Sequence, residues 1–278
     1  MVDKRKGGKM EKENKEKTGT KEWAEHSKNI QIGCENGCTY CYAREMAVRR
    51  KLVKDNDEWV NNPRRNKYSQ VEMKKNKFEK LDGRIMFPTT HDITDDNVDD
   101  CVEYLKGWLR EGNEVLIVSK PKLSVILKMI KELDKYKDQI TFRFTIGSNI
   151  DKVLKFWEPN AVGYGQRLAS LMACYYDGWE TSVSIEPALH PGLGKLIDDI
   201  YPYVTDTIWV GFMNGKDSRL DVPEDREHLL DHYMELLDAV ESVIGDLHEY
   251  VKREGLVKIR WKDSVRKKLG LDEYEGVM

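Results

Sequence analysis

Residues 27–43 read SKNIQIGCENGCTYCYA, a strand-like run, a glycine, and then three cysteines, Cys34, Cys38 and Cys41, inside eight positions. A helical pattern begins at the last of them and runs to about Val53. This is one strand–loop–helix unit with its thiols gathered in the loop. Only two further cysteines, Cys101 and Cys174, occur in the chain.

The same unit recurs outward from that stretch. GRIMFPTTHDIT (83–94), NEVLIVSKP (113–121), QITFRFTIGS (139–148), ETSVSIEPAL (180–189) and DTIWVGFMNG (206–215) are apolar runs that turn polar at their ends. Each predicts a short strand buried along its length. Between them lie helical patterns at Asp99–Arg110, Lys122–Lys137, Ile150 onward, Gln166–Tyr176 and Leu193–Tyr201. Alternation of this kind predicts an α/β fold with parallel strands and right-handed crossovers. Six units predict a partial (β/α)6 TIM-type barrel. No fixed-period repeat is present.

Outside this core, residues 1–26 are polar and rich in Lys and Glu, and are expected to form a disordered tail. Residues 215–278 read as a C-terminal helical extension, with an amphipathic helix near 223–254 that packs on the core. The core then spans 27–214 and carries a basic insertion at about 50–82. From Arg44 to Arg84 there are thirteen basic and seven acidic residues, with Trp59, Tyr68 and Phe78 among them, although the whole chain is nearly balanced at −3. The insertion reads either as a platform for a polyanion such as nucleic acid or as a solvated helical surface.

Length and composition set the class. At 278 residues with 40% hydrophobic residues the chain can bury a large core. It has no apolar run of membrane-spanning length and no apolar centre near its start, so it is expected in the cytoplasm. Thiols stay reduced there, and a tight cysteine group predicts a metal or cluster site before a disulfide. Three thiols are one short of a structural zinc site. They suffice for a four-iron cluster with one iron left open, and Gly33 and Gly37 allow the tight loop such convergence needs.

CENGCTYC resembles the C-x3-C-x-aromatic-C signature of the radical S-adenosylmethionine (SAM) superfamily, with Tyr40 in the aromatic slot. TFRFTIGSNIDKVLKFWEPNAVGYGQRL, IVSKP and CTYCYA are similar to segments of spore photoproduct lyase and its relatives; SIEPAL and WVGFMNG resemble phage-associated radical SAM proteins of unassigned substrate. The resemblance covers roughly residues 27–214. It implies a barrel of the radical SAM kind, a [4Fe-4S] cluster on Cys34, Cys38 and Cys41, and reductive cleavage of SAM to a 5′-deoxyadenosyl radical that abstracts hydrogen from substrate. It also implies an external electron donor of flavodoxin or ferredoxin type.

Carried over by position, Tyr40 would flank cluster and adenine, while Lys120 and Ser148, with Thr145 on the same strand as the latter, would contact the SAM carboxylate or ribose. A lysine beside a carboxylate and a hydroxyl beside a ribose also make chemical sense. The other readings are a residue placed before Pro121 for Lys120 and a helix N-cap for Ser148. Glu186 reads as a methionine or substrate ligand, or as an anchor of the Pro187 turn. His91 and Asp92 are expected to face cofactor or substrate, or to cap the next helix. Arg143 and Arg167 are left without a role, and Cys101 and Cys174 are expected to be buried structural thiols.

One departure matters. The lyase carries a hydrogen-donating cysteine near the end of its second strand, where this chain has Thr89 and Thr90. An alkyl O–H is a poor hydrogen-atom donor, so thymine-dimer repair by that route is not expected. Tyr42, after the last cysteine, is the candidate donor in its place; the alternative is a ring that packs on the first helix. The expected substrate is a nucleic acid or nucleotide, or else a protein, peptide or metabolite. The opposing reading is an iron–sulfur carrier or structural metal protein without SAM chemistry.

Overall fold

The computed structural model describes residues 19–215 and 219–271. The first half of the chain contains β1 (His26–Ser27), β2 (Gln31–Ile32), α1 (Tyr42–Arg49), α2 (Asn56–Asn61), β3 (Arg64–Arg65), α3 (Lys67–Lys74), β4 (Ile85–Phe87), α4 (Val98–Arg110), β5 (Val115–Ser119) and α5 (Leu123–Leu133). Then come β6 (Ile140–Thr145), α6 (Asp151–Trp157), α7 (Tyr164–Tyr176), β7 (Glu180–Ile185), α8 (Leu193–Ile200) and β8 (Ile208–Val210). The last elements are α9 (Glu224–Glu227), α10 (Leu230–Arg253), β9 (Ile259–Trp261) and α11 (Asp263–Leu269).

Seven strands form one parallel sheet in the order β1-β4-β5-β6-β7-β8-β9, so the fold is α/β and the sheet an open, partial barrel with edges at β1 and β9. Strand alternation sorts the side chains. Phe142 and Phe144 of β6, and Val183 and Ile185 of β7, join the apolar core with the helices. The intervening Thr141, Arg143, Thr145, Ser182 and Ser184 belong to the opposite, concave face, where Arg143 Nε donates to Ser182 Oγ at 2.9 Å. A polar concave face inside an apolar outer layer leaves room for chemistry at the strand ends.

The expected six units are present, with two differences. The first predicted strand is divided: β1 joins the main sheet, whereas β2 pairs antiparallel with β3 of the basic insertion. The C-terminal segment is more than a helical extension. Buried Tyr233, Leu237, Val240, Ile244, Leu247 and Val251 form one stripe along α10, which serves as the crossover from β8 to a seventh parallel strand, β9. Ile259 and Trp261 are buried there while Arg260 between them is partly exposed, so three residues with a central charge gave no strand-length apolar signal.

Residues 19–26, read from sequence as part of a tail, cross from one edge of the sheet to the other; residues 1–18 lie outside the described residues. Lys262 Nζ, past β9, donates to Gly19 O at 2.7 Å and pairs with Glu22, which also meets Arg266 at 3.1 Å. Trp23 lies between the Lys262 ammonium at 4.4 Å and the Arg143 guanidinium at 4.9 Å, edge-on to Trp209. His26 then enters β1 beside β4. Among the described residues, no helix is long and apolar enough to cross a membrane.

Candidate active site at the cysteine loop

The cysteine loop lies between β2 and α1 and is shaped by backbone demands. Gly33 adopts φ +99°, and a Cβ there would stand 2.8 Å from Trp59 O and 2.9 Å from Pro63 Cα, so only glycine fits. Cys34 N donates to Trp59 O at 3.0 Å, Thr39 N to Trp157 O at 2.9 Å, and Cys41 N to Cys38 O at 3.2 Å. Cys41 is the N-cap of α1, its sulfur accepting from Arg44 N at 3.4 Å. Trp157 is fully buried in the apolar cluster under α6 and α10, which ties the loop to the rigid core.

Arg44 is the loop's principal clamp. Its guanidinium donates to Cys38 O (3.1 Å), Thr39 O (3.0 Å) and Arg219 O (2.9 Å), and the residue is 5% exposed. Sequence reasoning passed over it. The available signal was a cation in the first turn of a helix, where the dipole disfavours positive charge and another partner must compensate.

The three thiols share one electrostatic neighbourhood. Burial pushes Cys34 well above its ordinary value, and Asp92, Cys38 and Cys41 push it further. Burial also lifts Cys38 to about 12, against the pull of Lys120. These sulfurs become thiolates when a cation binds them. Among the described residues no three His, Cys, Asp or Glu side chains converge tightly enough to hold a single ion.

Tyr40, Lys120 and two buried residues without a sequence-assigned role, Glu158 and Arg167, form a network behind the loop. The Tyr40 hydroxyl donates to Glu158 Oε1, Arg167 Nη2 donates to Glu158 Oε2 at 2.5 Å, and Lys120 Nζ stands 3.9 Å from Glu158 Oε1. Burial alone would drive the Glu158 carboxyl upward, but Arg167 and Lys120 outweigh it and hold it ionised. Burial likewise works against a charged Lys120, and Cys38, Glu158 and Asp92 overcome it. A cation is thus held beside the thiols in a water-poor site. Arg167 Nη1 also donates to Thr145 O at 3.1 Å.

Asp92 is enclosed. It accepts from Asn36 Nδ2 (2.7 Å), Ile93 N (2.9 Å), Lys120 N (3.1 Å) and Ser119 Oγ, and so connects the cysteine loop to the end of β5. Burial raises its carboxyl, with Lys120 opposing. His91 has both ring nitrogens engaged, Nε2 by Ile30 N at 3.2 Å and Nδ1 by Asp92 O at 2.8 Å. Burial lowers it to about 4, which keeps the ring neutral with Nδ1–H as donor.

The remaining sequence candidates lie around the strand ends. Thr145 and Ser148 are buried at the end of β6, and Ser148 Oγ accepts from Ile150 N at 3.0 Å as the chain enters α6. Glu186 follows β7, with Lys262 Nζ at 3.8 Å; burial raises its carboxyl to about 7 despite that lysine. Tyr42 is exposed and its hydroxyl donates to Thr89 O, just past the end of β4. Cys101 and Cys174 are free, buried thiols in the main core, as the sequence predicts.

No family profile matches the chain, and no curated protein does. Among solved structures the chain is similar to spore photoproduct lyase. A tyrosine-to-phenylalanine variant of that enzyme aligns at 14% identity and a TM-score of 0.49, over 79% of this chain and 74% of the other. The lyase complexed with dinucleoside spore photoproduct aligns at 15% identity and 0.45 over the same shares. A double variant with bound AdoMet and dinucleoside spore photoproduct aligns at 15% identity and 0.41, over 77% and 72%.

Proposed function

We propose that this chain is a radical SAM enzyme. The observation that carries the reading is the glycine-shaped loop of Cys34, Cys38 and Cys41, capped onto α1 and backed by a partly buried Lys120 at the C-terminal ends of parallel strands. Three thiols in one loop suit a four-iron cluster, which can take three of its iron ligands from them and leave one iron open. With a [4Fe-4S] cluster and SAM bound, the site supplies a carbon radical able to take hydrogen from an unreactive C–H bond.

The chain's own residues position and shield. Lys120, kept cationic, offers a charge-assisted partner to a carboxylate. Tyr40, fixed through its hydroxyl to Glu158, presents its ring beside the loop. Thr145 and Ser148 offer polar contacts at the neighbouring strand end, and Glu186 accepts from the amine or from substrate. Tyr42 is the hydrogen donor in place of the missing thiol. His91 and Asp92 take holding roles, since their polar atoms are consumed by the backbone, Asn36 and Ser119.

The substrate reading is nucleic acid or nucleotide. It is supported by α3 and the residues after it, an exposed segment that carries Lys67, Lys74, Lys75 and Lys77 together with Tyr68, whose ring stands 84% exposed and free to stack. The test is anaerobic reconstitution with iron and sulfide, then dithionite and SAM, with 5′-deoxyadenosine and methionine quantified. Wild type is expected to form both and Cys38→Ala neither. A fully loaded wild type whose spectrum ignores SAM and which forms no 5′-deoxyadenosine returns the chain to the iron–sulfur carrier reading.

A further inference from the structure

The reaction proposed above consumes one electron for each SAM cleaved, and among the described residues the only other cysteines are the buried, isolated Cys101 and Cys174. On that reading the electron is supplied by an external carrier. Resting on that reading, we propose that the face formed by the end of α1 and the segment leading into α2 is the docking surface for an acidic one-electron carrier protein.

Three observations place it there. Val48 and Leu52 are 37% and 44% exposed, an apolar centre at the end of the helix whose N-cap is Cys41. Beside them an open cavity of about 350 Å³ is lined by Val48, Lys51, Leu52, Val53, Lys54 and Glu58. Val53, in the cavity wall but only 4% exposed, packs in one small apolar cluster with Ala43, Ala47, Trp59, Cys34 and Cys41. The surface thus reaches the thiols through packed side chains rather than through water.

The rim of this centre is positive. Arg49, Arg50, Lys51 and Lys54 are exposed, and Arg50 and Lys51 make no ion pair among the described residues. The nearby acids are internally engaged, Asp55 as the cap of α2 and Glu58 with Arg64 and Lys54 N. An apolar centre within a charged rim is the layout of a transient protein interface, and the positive rim selects an acidic partner and speeds its encounter. Nucleic acid is disfavoured on this face because it offers no exposed aromatic ring; the insertion's exposed ring, Tyr68, stands on α3. With a cluster on Cys34, Cys38 and Cys41 and SAM bound, the carrier would be oxidised by one electron, and that electron would reduce SAM, cleaving its S–C5′ bond to methionine and the 5′-deoxyadenosyl radical.

The test compares wild type with Arg50→Glu/Lys54→Glu and with the milder Arg50→Gln/Lys54→Gln, using a [2Fe–2S] ferredoxin as carrier. In the full chain without cluster, ferredoxin binding is titrated at low and high salt. In the reconstituted protein, cluster bleaching is timed with reduced ferredoxin and, separately, with dithionite, which needs no docking surface. We expect salt-sensitive binding by wild type, a loss of about tenfold or more in both ferredoxin readouts for the Glu variant, a smaller loss for the Gln variant, and unchanged dithionite rates. Equal ferredoxin affinity and rate in all three proteins overturns the proposal, as does loss of single-stranded oligonucleotide binding with ferredoxin behaviour intact. Failure of SAM cleavage with dithionite would count against the radical SAM reading alone, because the binding titration reads the surface without the cluster.

Discussion

Arg167 and Glu158 meet at 2.5 Å with both side chains fully excluded from water, and the remaining carboxylate oxygen is taken by the Tyr40 hydroxyl. A residue of the cysteine motif is thereby fixed to two residues more than a hundred positions away.

Removing one partner of this pair leaves a buried charge without its nearest counter-ion, a loss of up to about 3–5 kcal/mol. Arg167→Met and Glu158→Leu should each fall in that range by urea denaturation, and the double variant should lose clearly less than the two together. Additivity to within about 0.5 kcal/mol would show that the residues act independently.

Asp92 gathers donors from the cysteine loop, β5 and its own turn, and only a carboxylate can accept all of them. Asp92→Asn turns an NH2 group toward donors, at about 1–3 kcal/mol for each one left unsatisfied. The expected result is a lower unfolding midpoint together with reduced iron uptake on reconstitution, Ser119→Ala showing a smaller version of both. Normal iron content in Asp92→Asn would remove Asp92 from the support of the loop.

Glu186 carries a pH signature. Burial lifts its carboxyl from 4.5 to about 7, so below pH 4.5 it is protonated in both folded and unfolded chains, whereas between 4.5 and 7 only the unfolded chain ionises. Its contribution to stability therefore falls as pH rises through that window, by at most about 3 kcal/mol, and is level above it. Urea midpoints of wild type and Glu186→Gln between pH 4.5 and 8 should diverge in the variant's favour as pH increases. Parallel curves would assign the carboxyl an ordinary titration.

Lys120→Ala should weaken SAM binding by about 1–3 kcal/mol, the range for losing a hydrogen bond to a charged group, without loss of iron. Titration of the reconstituted protein reads it directly. Unchanged affinity would leave Lys120 as the counter-ion of Glu158 alone.

Tyr42→Phe removes one O–H at an exposed position, so stability should change by no more than about 1 kcal/mol, with cluster and 5′-deoxyadenosine formation retained. Once a substrate is in hand, product yield or partition should shift. Identical products in equal yield would exclude the phenol as hydrogen donor.

The β/α alternation was legible because a strand covered on both sides shows as an unbroken apolar run, as in VLIV of β5, and one with a polar concave face as strict alternation, as in ITFRFT of β6. The cysteine loop was legible because its spacing and glycines are local. β9 was not, since IRW is three residues long and carries a central arginine; its pairing is set by α10 and β8 rather than by its own composition. Glu158 and Arg167 are nine positions apart, on the two sides of the turn from α6 into α7, and no helical or strand period connects them. Arg44 left a trace as a cation at a helix N-terminus, a signal about unmet electrostatics that names no partner.

The bridge across the sheet edges has a consequence for the order of events at the ribosome. Gly19 and Lys262 are 243 positions apart, and Glu22 and Arg266 are 244 apart. Residues 19–24 are therefore made long before they can be seated: Trp23 waits for a lysine translated much later, and the loop that must close spans 243 positions. Nascent chains stalled before β9 should expose this segment to protease, and its protection should appear only once Lys262 has emerged from the ribosome.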